Sequence, residues 1–505
     1  MQVSERTDVE VAIVGSGFSG IATGYLLREA GITSFVILEK GHDVGGTWRE
    51  NKYPGAACDV PSHLYSFSFE PNPRWSRAYS PQGEILDYLR RTAEKHGITP
   101  HIRFGSHVER CDWDEARGRW TIATKDGHTV RARSIVLGNG ALHLPQLPAI
   151  AGRDSFAGPA FHTAQWDDTF DPHGKRIAVV GTGASAIQVV PALAGKAARI
   201  DLYQRTPAWV VPRNDHAYAE RTKQLFSRHP GAQKLLRAAI YTRAEATAIA
   251  FLEPRAMAPL EWLAKQHIAR QVKDDALREK LTPRYRMGCK RILLSDDYYP
   301  ALCRDDVEVI TTPIDRVEKN GIRASDGTLR EVDAIVWATG FDVAGYLSPI
   351  AIHGRDGRSL TEAWRGAPEA YLGISVSGFP NLFTMMGPNT GLGHNSMIFM
   401  IEAQARYAVQ AITTLRDRRL RALDVRPEVQ RAFTAELDRK MSKTVWMSGC
   451  HSWYLAGNGA RNSTLWPGYT FDYWWQTRKL DLAAYETTGE QVSTASAWVP
   501  TTARA

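Results

Sequence analysis

The sequence predicts an α/β fold that contains two βαβ units, and three observations support this prediction. A glycine-rich loop at residues 15–20, Gly-Ser-Gly-Phe-Ser-Gly, directly follows an apolar run that ends at Val14. A similar loop at residues 181–186, Gly-Thr-Gly-Ala-Ser-Ala, follows an apolar run that ends at Val180. A charged residue stands nineteen positions beyond each loop, Glu39 in the first unit and Arg205 in the second. This order of strand, glycine turn, helix and strand is typical of Rossmann-like dinucleotide-binding domains.

The opposite charges of Glu39 and Arg205 predict two different dinucleotides. A carboxylate at that position accepts hydrogen bonds from a free ribose diol, whereas a guanidinium suits a 2′-phosphate. We therefore expect an FAD-like cofactor in the first unit and NADPH in the second, which together indicate redox chemistry. The residues expected at the first cofactor are Gly15, Gly17, Phe18, Gly20, Glu39 and Lys40, and those expected at the second are Gly181, Thr182, Gly183, Ala184, Ser185, Arg205 and Thr206.

The first unit shows the hydrophobic patterns of alternating strands and helices. The predicted elements are a strand from Val9 to Val14, a helix from Ser19 to Ala30, a strand from Ser34 to Glu39, a helix from Ser80 to Lys95, and strand-like segments around Val108, from Trp120 to Thr124 and from Ser134 to Leu137. Gly138-Asn139-Gly140, followed by two prolines, then indicates a linker.

The second unit is interrupted by a long helical segment. Its predicted strands run from Lys175 to Val180, from Arg199 to Gln204, from Val307 to Ile310 and from Ala334 to Ala338. Between them, residues 213–280 show helical periodicity and are rich in Ala, Leu, Arg and Lys, which predicts a helical insertion. We expect an FAD-binding domain at residues 1–148 and 340–505, an NADP-binding domain at 149–214 and 286–339, and the insertion at 215–285.

Composition excludes several other classes of protein. The 505 residues are 43% hydrophobic and carry a formal net charge of +8 without a dense Lys/Arg block, so we do not expect nucleic-acid binding. No metal-ligand spacing and no apolar stretch long enough to span a membrane is present. The cysteines are scattered along the sequence and odd in number, which predicts a reduced, cytoplasmic protein without disulfides. They are Cys58, Cys111, Cys289, Cys303 and Cys450.

A box between the two glycine loops resembles the fingerprint of a known enzyme family. Its residues follow the pattern F-x-G-x-x-x-H-x-x-x-W-D and are Phe156, Gly158, His162, Trp166 and Asp167. The pattern, and its position directly before the second loop, resemble the type I Baeyer–Villiger monooxygenases. Relatives that oxidise amines and sulfides have a similar box with a different aromatic ending, so the Trp-Asp ending favours the Baeyer–Villiger branch.

Further segments extend the resemblance over most of the chain. They are Gly45-Gly46-Thr47-Trp48 with the downstream Asp59, Lys290-Arg291, Ala338-Thr339-Gly340 and Ser452-Trp453-Tyr454. The resemblance implies further cofactor contacts from Gly46, Thr47, Trp48, Asp59, Tyr65, Lys290 and Trp453. In particular, it implies that Lys290 joins Arg205 and Thr206 at the 2′-phosphate, that Trp48 packs by the flavin and that Trp453 lies at the nicotinamide ribose.

The resemblance implies an FAD- and NADPH-dependent enzyme that inserts one oxygen atom from O2 next to a ketone carbonyl through a flavin C4a-peroxide, giving an ester or lactone. That peroxide must stay deprotonated to attack the carbonyl carbon. Arg291 is the expected catalytic cation, since a guanidinium cannot lose its proton to the peroxide. Asp59 is the expected carboxylate that orients it.

Three alternatives remain open from the sequence. One is a flavin monooxygenase that oxidises amines or sulfides, in which the peroxide is protonated and electrophilic. Another is a pyridine-nucleotide disulfide reductase, which needs a redox cysteine pair beside the flavin; Cys58 has no partner near it in sequence. The third is a non-catalytic redox sensor that uses the same two domains only for binding.

Overall fold

A computed structural model of the chain describes residues 6–343, 345, 347, 349–450, 452–456 and 461–489. Within these ranges, two large sheets with parallel strands at their centres confirm the α/β prediction. The first sheet has the strand order Ala351–His353, Val108–Asp114, Arg119–Thr124, Thr129–Leu137, Arg6–Val14, Phe35–Leu38 and Ile102–Arg103, with Leu382–Thr384 also paired to Thr129–Leu137.

The second sheet is entirely parallel. Its order is Val307–Ile310, Arg199–Tyr203, Arg176–Val180, Ala334–Trp337 and Ala160–His162. The residues of Ala334–Trp337 are all buried, as expected for a strand covered on both faces of a parallel sheet. The strand Ala160–His162, which carries the histidine of the fingerprint, lies at the edge of this sheet, where its short length limits exposed backbone.

The two glycine loops leave their sheets in the same way. Gly15 donates its backbone N–H to the carbonyl of Leu38 at 2.8 Å, and Gly181 donates to that of Tyr203 at 3.1 Å. Both glycines have positive φ, +93° and +119°. A left-handed backbone disfavours any residue with a Cβ, so glycine is needed at the first position of each turn.

Helices cover the sheets, and a group of helices lies in sequence between the earlier and the later strands of the second sheet. The α-helices are Phe18–Glu29, Thr47–Glu50, Gln82–Lys95, Ala186–Leu193, Glu220–Arg228, Pro230–Leu252, Ala258–Gln271, Asp275–Leu281, Tyr298–Leu302, Leu360–Ala363, Met397–Asp417, Pro427–Met441 and Thr470–Thr477. Four of them fall within residues 220–281, where the sequence predicts a helical insertion. Among the residues described, none of the helices is both long and apolar enough to cross a bilayer.

Short strands complete the structure. Val210–Val211 pairs in parallel with Leu293–Leu294. The residues just before and just after the helical segment are therefore neighbours in space. The remaining ladders are Ile314–Glu318 with Gly321–Ala324 and Leu329–Glu331, Leu420–Val425 with Tyr485–Gly489, and Leu455–Ala456 with Arg461–Asn462. The exact domain boundaries stay a prediction.

The helical segment is anchored to the later part of the chain through a partly buried carboxylate. Glu245, on the helix Pro230–Leu252, accepts hydrogen bonds from Asn395 Nδ2 and Thr470 Oγ1, both at 2.7 Å. Burial pushes the pKa of Glu245 upward, but hydrogen bonds from His394, Thr470 and Asn395 lower it to about 2. The ionised carboxylate therefore ties three separate segments together.

The prediction of a chain without disulfides is wrong. Cys289 and Cys450 form a disulfide across 161 residues of sequence, with their Cα atoms 6.2 Å apart. The scatter of cysteines along the sequence is a poor guide here, because the fold brings two distant loops together. The described cysteines that stay free are Cys58 and Cys111, which are buried, and Cys303, which is exposed.

Candidate active site

A cavity of about 1370 Å³ lies between the two glycine loops. Every cofactor residue predicted from the sequence lines it except Gly20, and so do both predicted catalytic residues. A Cβ added to Gly20 would stand 2.0 Å from the carbonyl oxygen of Gly15. Gly20 therefore allows the helix to pack closely on the loop, which is the known use of the third glycine in this motif.

The first loop presents an open helix terminus to the cavity. Gly17 is the N-cap of the helix Phe18–Glu29, no side chain caps that end, and its first turn has no acidic residue. The N–H groups of the first turn and the positive end of the helix dipole are thus available to an anion. This end of the cavity fits a pyrophosphate group.

Glu39 is buried directly after the strand Phe35–Leu38, and both of its carboxylate oxygens accept hydrogen bonds. One carboxylate oxygen accepts from Ser16 N and Oγ, both at 2.8 Å. The other accepts from Gly41 N and contacts the Arg49 guanidinium, also at 2.8 Å. Burial raises its pKa, but Arg49 and these hydrogen bonds outweigh burial and keep the pKa below its ordinary value. Glu39 is therefore ionised, as an acceptor for ribose hydroxyls must be.

The second loop has an open glycine and two adjacent cations. A Cβ added to Gly183 would have no neighbour within 4 Å, which leaves the room that a pyrophosphate needs beside the backbone. Arg205 is exposed, and Lys290 lies over the Tyr285 ring at 4.9 Å. Burial first, and then the charge of Arg205, lower the pKa of Lys290. Two cations that repel each other form a site for an anion such as a 2′-phosphate.

Thr206 supports this second loop through its backbone. Its carbonyl accepts a hydrogen bond from Thr182 Oγ1 at 2.8 Å, which joins the glycine loop to the segment that carries Arg205. Both threonines line the cavity.

Arg291 and Asp59 form an ion pair in the cavity wall. Arg291 donates from Nη2 and Nε to the same oxygen of Asp59, at 2.6 and 3.2 Å. Their side chains are 33% and 28% exposed, as expected for groups that face a cavity. Asp59 raises the pKa of Arg291 further above its ordinary value. Burial pushes the pKa of Asp59 upward, but Arg291 outweighs it and the pKa falls. Both groups are charged at neutral pH.

The adjacent cations Lys290 and Arg291 serve different partners. Lys290 lies with Arg205 and Tyr285, whereas Arg291 lies with Asp59. The two neighbouring side chains therefore contact different groups of residues.

Trp48, Tyr65 and Trp453 all line the cavity, and their contacts with the cofactors stay a prediction. Trp48 is nearly buried and donates its indole N–H to the Tyr65 hydroxyl at 3.1 Å, so the two rings are held edge to face. Trp453 is 44% exposed and has its ring 4.3 Å from that of Tyr454.

The fingerprint residues do not line the cavity. His162 is buried and accepts a hydrogen bond at Nδ1 from Ala164 N, and its ring packs against Phe341. Trp166 packs against two phenylalanines, and Asp167 accepts from Thr169 in a local turn. A Cβ on Gly158 would stand 2.6 Å from the Asp333 carbonyl oxygen and 2.8 Å from the Phe156 ring. The box is therefore a packing unit beside the returning linker.

Sequence reasoning missed several residues that support the site. Arg49 pairs with Glu39. Burial raises the pKa of Tyr454 to about 12, and the charge of the nearby Arg291 partly offsets that rise. Arg213 donates to the carbonyl of Cys58 at 2.8 Å and helps to lower the pKa of Asp59. Arginine and tyrosine are common residues without a motif of their own here, so only proximity to a named residue, as for Tyr454 after Trp453, could have indicated them.

The chain is similar in sequence and in fold to known proteins. The sequence pattern of the family described as pyridine nucleotide-disulphide oxidoreductase matches residues 12–250. A Baeyer-Villiger monooxygenase of Pseudomonas aeruginosa is 46% identical over 481 residues, covering 95% of this chain and 91% of the relative. One of Streptomyces coelicolor is 47% identical over 488 residues, covering 96% and 93%.

A solved structure agrees with these relatives. The crystal structure of OTEMO in complex with FAD and NADP superimposes with a TM-score of 0.88 at 25% identity, covering 96% of this chain and 100% of that one. The disulfide-reductase alternative lacks a site, because neither Cys289 nor Cys450 lines the cavity. With relatives 46% and 47% identical along almost its whole length, the chain belongs to the Baeyer–Villiger monooxygenase family.

Proposed function

We propose that this enzyme uses FAD and NADPH to insert one oxygen atom from O2 next to a ketone carbonyl, releasing an ester or a lactone. The observation that carries the proposal is the Arg291–Asp59 ion pair, which lies in the wall of the cavity shared by both glycine loops. Ketone oxygenation needs a permanent positive charge at the reacting oxygen, and this pair supplies one.

The residues around the cavity fit both cofactors. The first-turn N–H groups that follow Gly17 would hold the FAD pyrophosphate, and Glu39 would accept from its ribose. The ribose hydroxyls would share that carboxylate with Ser16. Arg205, Lys290 and Thr206 would hold the NADPH 2′-phosphate. When bound, FAD accepts a hydride from NADPH and activates O2.

Arg291 would stabilise the negative charge that develops on the carbonyl oxygen of the ketone. A charged donor held in place before reaction stabilises such an oxygen more effectively than water, which must reorient. Asp59 fixes the guanidinium through two hydrogen bonds to one carboxylate oxygen and keeps it in the cavity wall. Because the pKa of Asp59 is lowered, this support persists well below neutral pH.

The test is product analysis after incubation with a panel of cyclic and linear ketones, NADPH and air. We expect esters or lactones from the wild-type enzyme. In Arg291→Ala we expect ester formation to fall by at least 100-fold, about the loss for one oxyanion donor, while NADPH oxidation continues and ends in hydrogen peroxide.

Arg304→Ala is the matched control, since Arg304 pairs with Asp306 away from the cavity and should leave product formation unchanged. Undiminished ester formation by Arg291→Ala would contradict the mechanism. Oxidation of amines or sulfides without any ester would indicate the alternative reaction instead.

A further inference from the structure

The Arg49 guanidinium lies between three acceptors at the end of the cavity that holds Glu39. Its Nη1 is 2.8 Å from Glu39 Oε1 and also donates to the backbone carbonyl of Asp43. Its Nη2 donates to Glu50 Oε1 at 3.1 Å. Arg49 lines the cavity together with Glu39, and its side chain is only 17% exposed. A planar fork with three partners has one favourable position, so the charge of Arg49 is held at the Glu39 carboxylate.

Gly41 leaves the space that this guanidinium occupies. A Cβ added to Gly41 would stand 2.4 Å from Cζ and 2.5 Å from Nη1 of Arg49. The φ of Gly41 lies outside the left-handed range, so the backbone itself tolerates a residue with a side chain there. The main-chain N–H of Gly41 donates to Glu39 Oε1, the oxygen that also faces Arg49. Glycine at this position therefore lets Arg49 approach the carboxylate that the Gly41 backbone already binds.

The groups around the Glu39 carboxylate differ in what they contribute. Main-chain N–H groups, among them that of Gly41, set where the carboxylate lies. Burial raises the pKa of Glu39, and Arg49 is the largest of the influences that lower it. Lys40, a second cation at the cavity, pairs instead with Glu50 at 3.0 Å. The positive charge that faces Glu39 therefore comes from Arg49.

The segment that carries Arg49 lies against the first glycine loop. Gly45 donates its N–H to the Ser16 carbonyl at 3.1 Å. The short helix Thr47–Glu50 begins two residues later and places Arg49 beside Glu39. Arg49 therefore joins the acidic residue after the second strand to a helix that is itself fixed to the glycine loop.

We propose that Arg49 is a positioning residue for Glu39, and that it determines how tightly the enzyme retains FAD by holding the carboxylate that receives the ribose hydroxyls. The inference rests on the part of the proposed function that places this ribose at Glu39. Retention of FAD therefore depends on a charged residue that stands outside the glycine motif.

The first experiment measures the dissociation constant of FAD. The full-length enzyme is dialysed against a series of FAD concentrations, and the bound flavin is measured by its visible absorbance. In Arg49→Gln we expect this constant to rise by about tenfold or more, the effect of one hydrogen bond to a charged group, while the dissociation constant of NADP⁺ stays unchanged. Arg110→Gln is the matched control, because Arg110 pairs with Asp112 at 2.6 Å and does not line the cavity.

The second experiment separates the positioning of the carboxylate from support of the fold. Glu39→Gln keeps the size of the side chain but removes its charge. In that background Arg49→Gln should raise the dissociation constant of FAD by less than about twofold, because no carboxylate is left to hold, whereas a residue that only supports its segment would have an equal effect in both backgrounds. With Glu39 present, Arg49→Lys should recover part of the affinity, because lysine keeps the charge without the planar fork.

Gly41→Ala tests the same role without removing a charge. The added methyl group would displace the guanidinium from Glu39. We expect the dissociation constant of FAD to rise by about threefold or more, since the ion pair is weakened while both charges remain. Gly83→Ala is the matched control, because a Cβ on Gly83 meets nothing within 4 Å and its φ also lies outside the left-handed range. This variant decides the proposal even if Arg49→Gln does not fold.

An unchanged dissociation constant of FAD in Arg49→Gln, or an equal rise in both Glu39 backgrounds, would overturn the positioning role. An effect of Gly83→Ala as large as that of Gly41→Ala would do the same. If Glu39→Gln itself binds FAD as tightly as the wild type, the placement of the ribose in the proposed function fails, and the role of Arg49 fails with it. Weaker binding by Glu39→Gln together with normal binding by Arg49→Gln would overturn this inference alone.

Discussion

At the scale of single residues, the site depends on where permanent charges are placed. Arg205 is exposed beside Lys290, and an anion bound between them would relieve their mutual repulsion. A 2′-phosphate is such an anion, whereas the free ribose of NADH offers no charge. The preference for NADPH should therefore reside in these side chains and not in the glycine loop.

Replacing Arg205 by alanine should separate the two nicotinamide cofactors. The loss of a charged hydrogen bond, about 1.5–3 kcal/mol, should raise the KM for NADPH by roughly 10- to 150-fold and leave the KM for NADH nearly unchanged. Steady-state NADPH and NADH oxidation at low ionic strength provides the measurement. An equal rise of the KM for both cofactors would show instead that the loop had been distorted. Arg199→Ala is the control for a general loss of charge, because Arg199 pairs with Asp201 outside the cavity.

Motifs predicted residues that line the cavity, but not those that support them. The pairing of Arg291 with Asp59, 232 positions apart, was expected because both stand in segments that resemble the family. Arg49 and the Cys289–Cys450 bond were missed. Their partners are fixed by packing between distant loops, and no local pattern in the sequence records such a contact.

At the scale of elements, the two halves repeat one arrangement at the base of each glycine loop. Gly138 donates its N–H to the carbonyl of Val14, and Ala338 donates to that of Val180, at 2.8 and 2.9 Å. Each linker thus begins beside the strand that precedes a loop. Gly138-Asn139-Gly140 differs from Ala338-Thr339-Gly340 in sequence, yet the same backbone contact forms, because it needs only an N–H and a carbonyl.

The linkers also contact one another. Gln146 N donates to the carbonyl of Gly340 at 2.9 Å, and Thr339 Oγ1 donates to the carbonyl of Gln146 at 2.6 Å. His162 packs its ring against Phe341 at the start of the returning chain. The fingerprint histidine therefore contacts the linker and not the cavity, and the sequence pattern alone does not predict this contact.

Two glycines of the second loop should respond differently to alanine. A Cβ on Gly181 would stand 2.3 Å from the Ala338 carbonyl oxygen, so Gly181→Ala should force the linker away and lower the free energy of unfolding by about 2 kcal/mol or more. A Cβ on Gly183 meets nothing, so Gly183→Ala should change stability by less than about 0.5 kcal/mol. That methyl group would instead occupy the room left for a pyrophosphate and weaken NADP⁺ binding by about tenfold.

Urea unfolding and calorimetric titration with NADP⁺ measure the two effects separately. Gly174→Ala is the control for backbone strain alone, because Gly174 has a φ of +67° and open space around it. Stability losses of equal size in the Gly174 and Gly181 variants would contradict the proposed collision with the linker.

At the scale of the whole molecule, a segment of the first half packs on the helix that follows the second glycine loop, and polar contacts are part of this junction. Tyr53 donates its hydroxyl to Gln188 at 2.9 Å, and Gln188 donates to the carbonyl of Ala57 at 3.0 Å. A Cβ on Gly55 would stand 2.5 Å from the Gln188 carbonyl oxygen, so the two backbones approach closely there. This contact joins the segment that leads to Asp59 to the helix that follows the second loop. The α/β architecture was predictable from the hydrophobic pattern. This junction was not, because neither of the two segments carries a sequence pattern that indicates its partner.

Two buried histidines at such junctions should make the stability of the whole molecule depend on pH. His162 lies beside the returning linker, and His63 lies against the helical segment, where Gln233 contacts its ring at 3.2 Å. Burial lowers the pKa of each to about 4, with the charge of Arg237 adding to the effect at His63. Both are neutral in the folded protein at pH 5, whereas in the unfolded chain a histidine has a pKa near 6.5 and takes up a proton there.

The unfolded state therefore binds more protons than the folded state between pH 6.5 and pH 4, and stability falls as the pH is lowered through that window. Each histidine adds at most about 1.4 kcal/mol per pH unit to the slope of the free energy of unfolding against pH. The pair therefore adds up to about 2.7 kcal/mol per pH unit, and neither adds to the slope above pH 7.5. Urea unfolding at intervals from pH 8 to pH 5 measures the slope. His63→Asn and His162→Asn should each lower this slope by the amount that corresponds to about one proton. The comparison with the wild type holds whatever the effect of each substitution at pH 8, because the other titrating groups are the same in all the proteins. A slope that stays the same in the double variant would show that these two rings are protonated in the folded state.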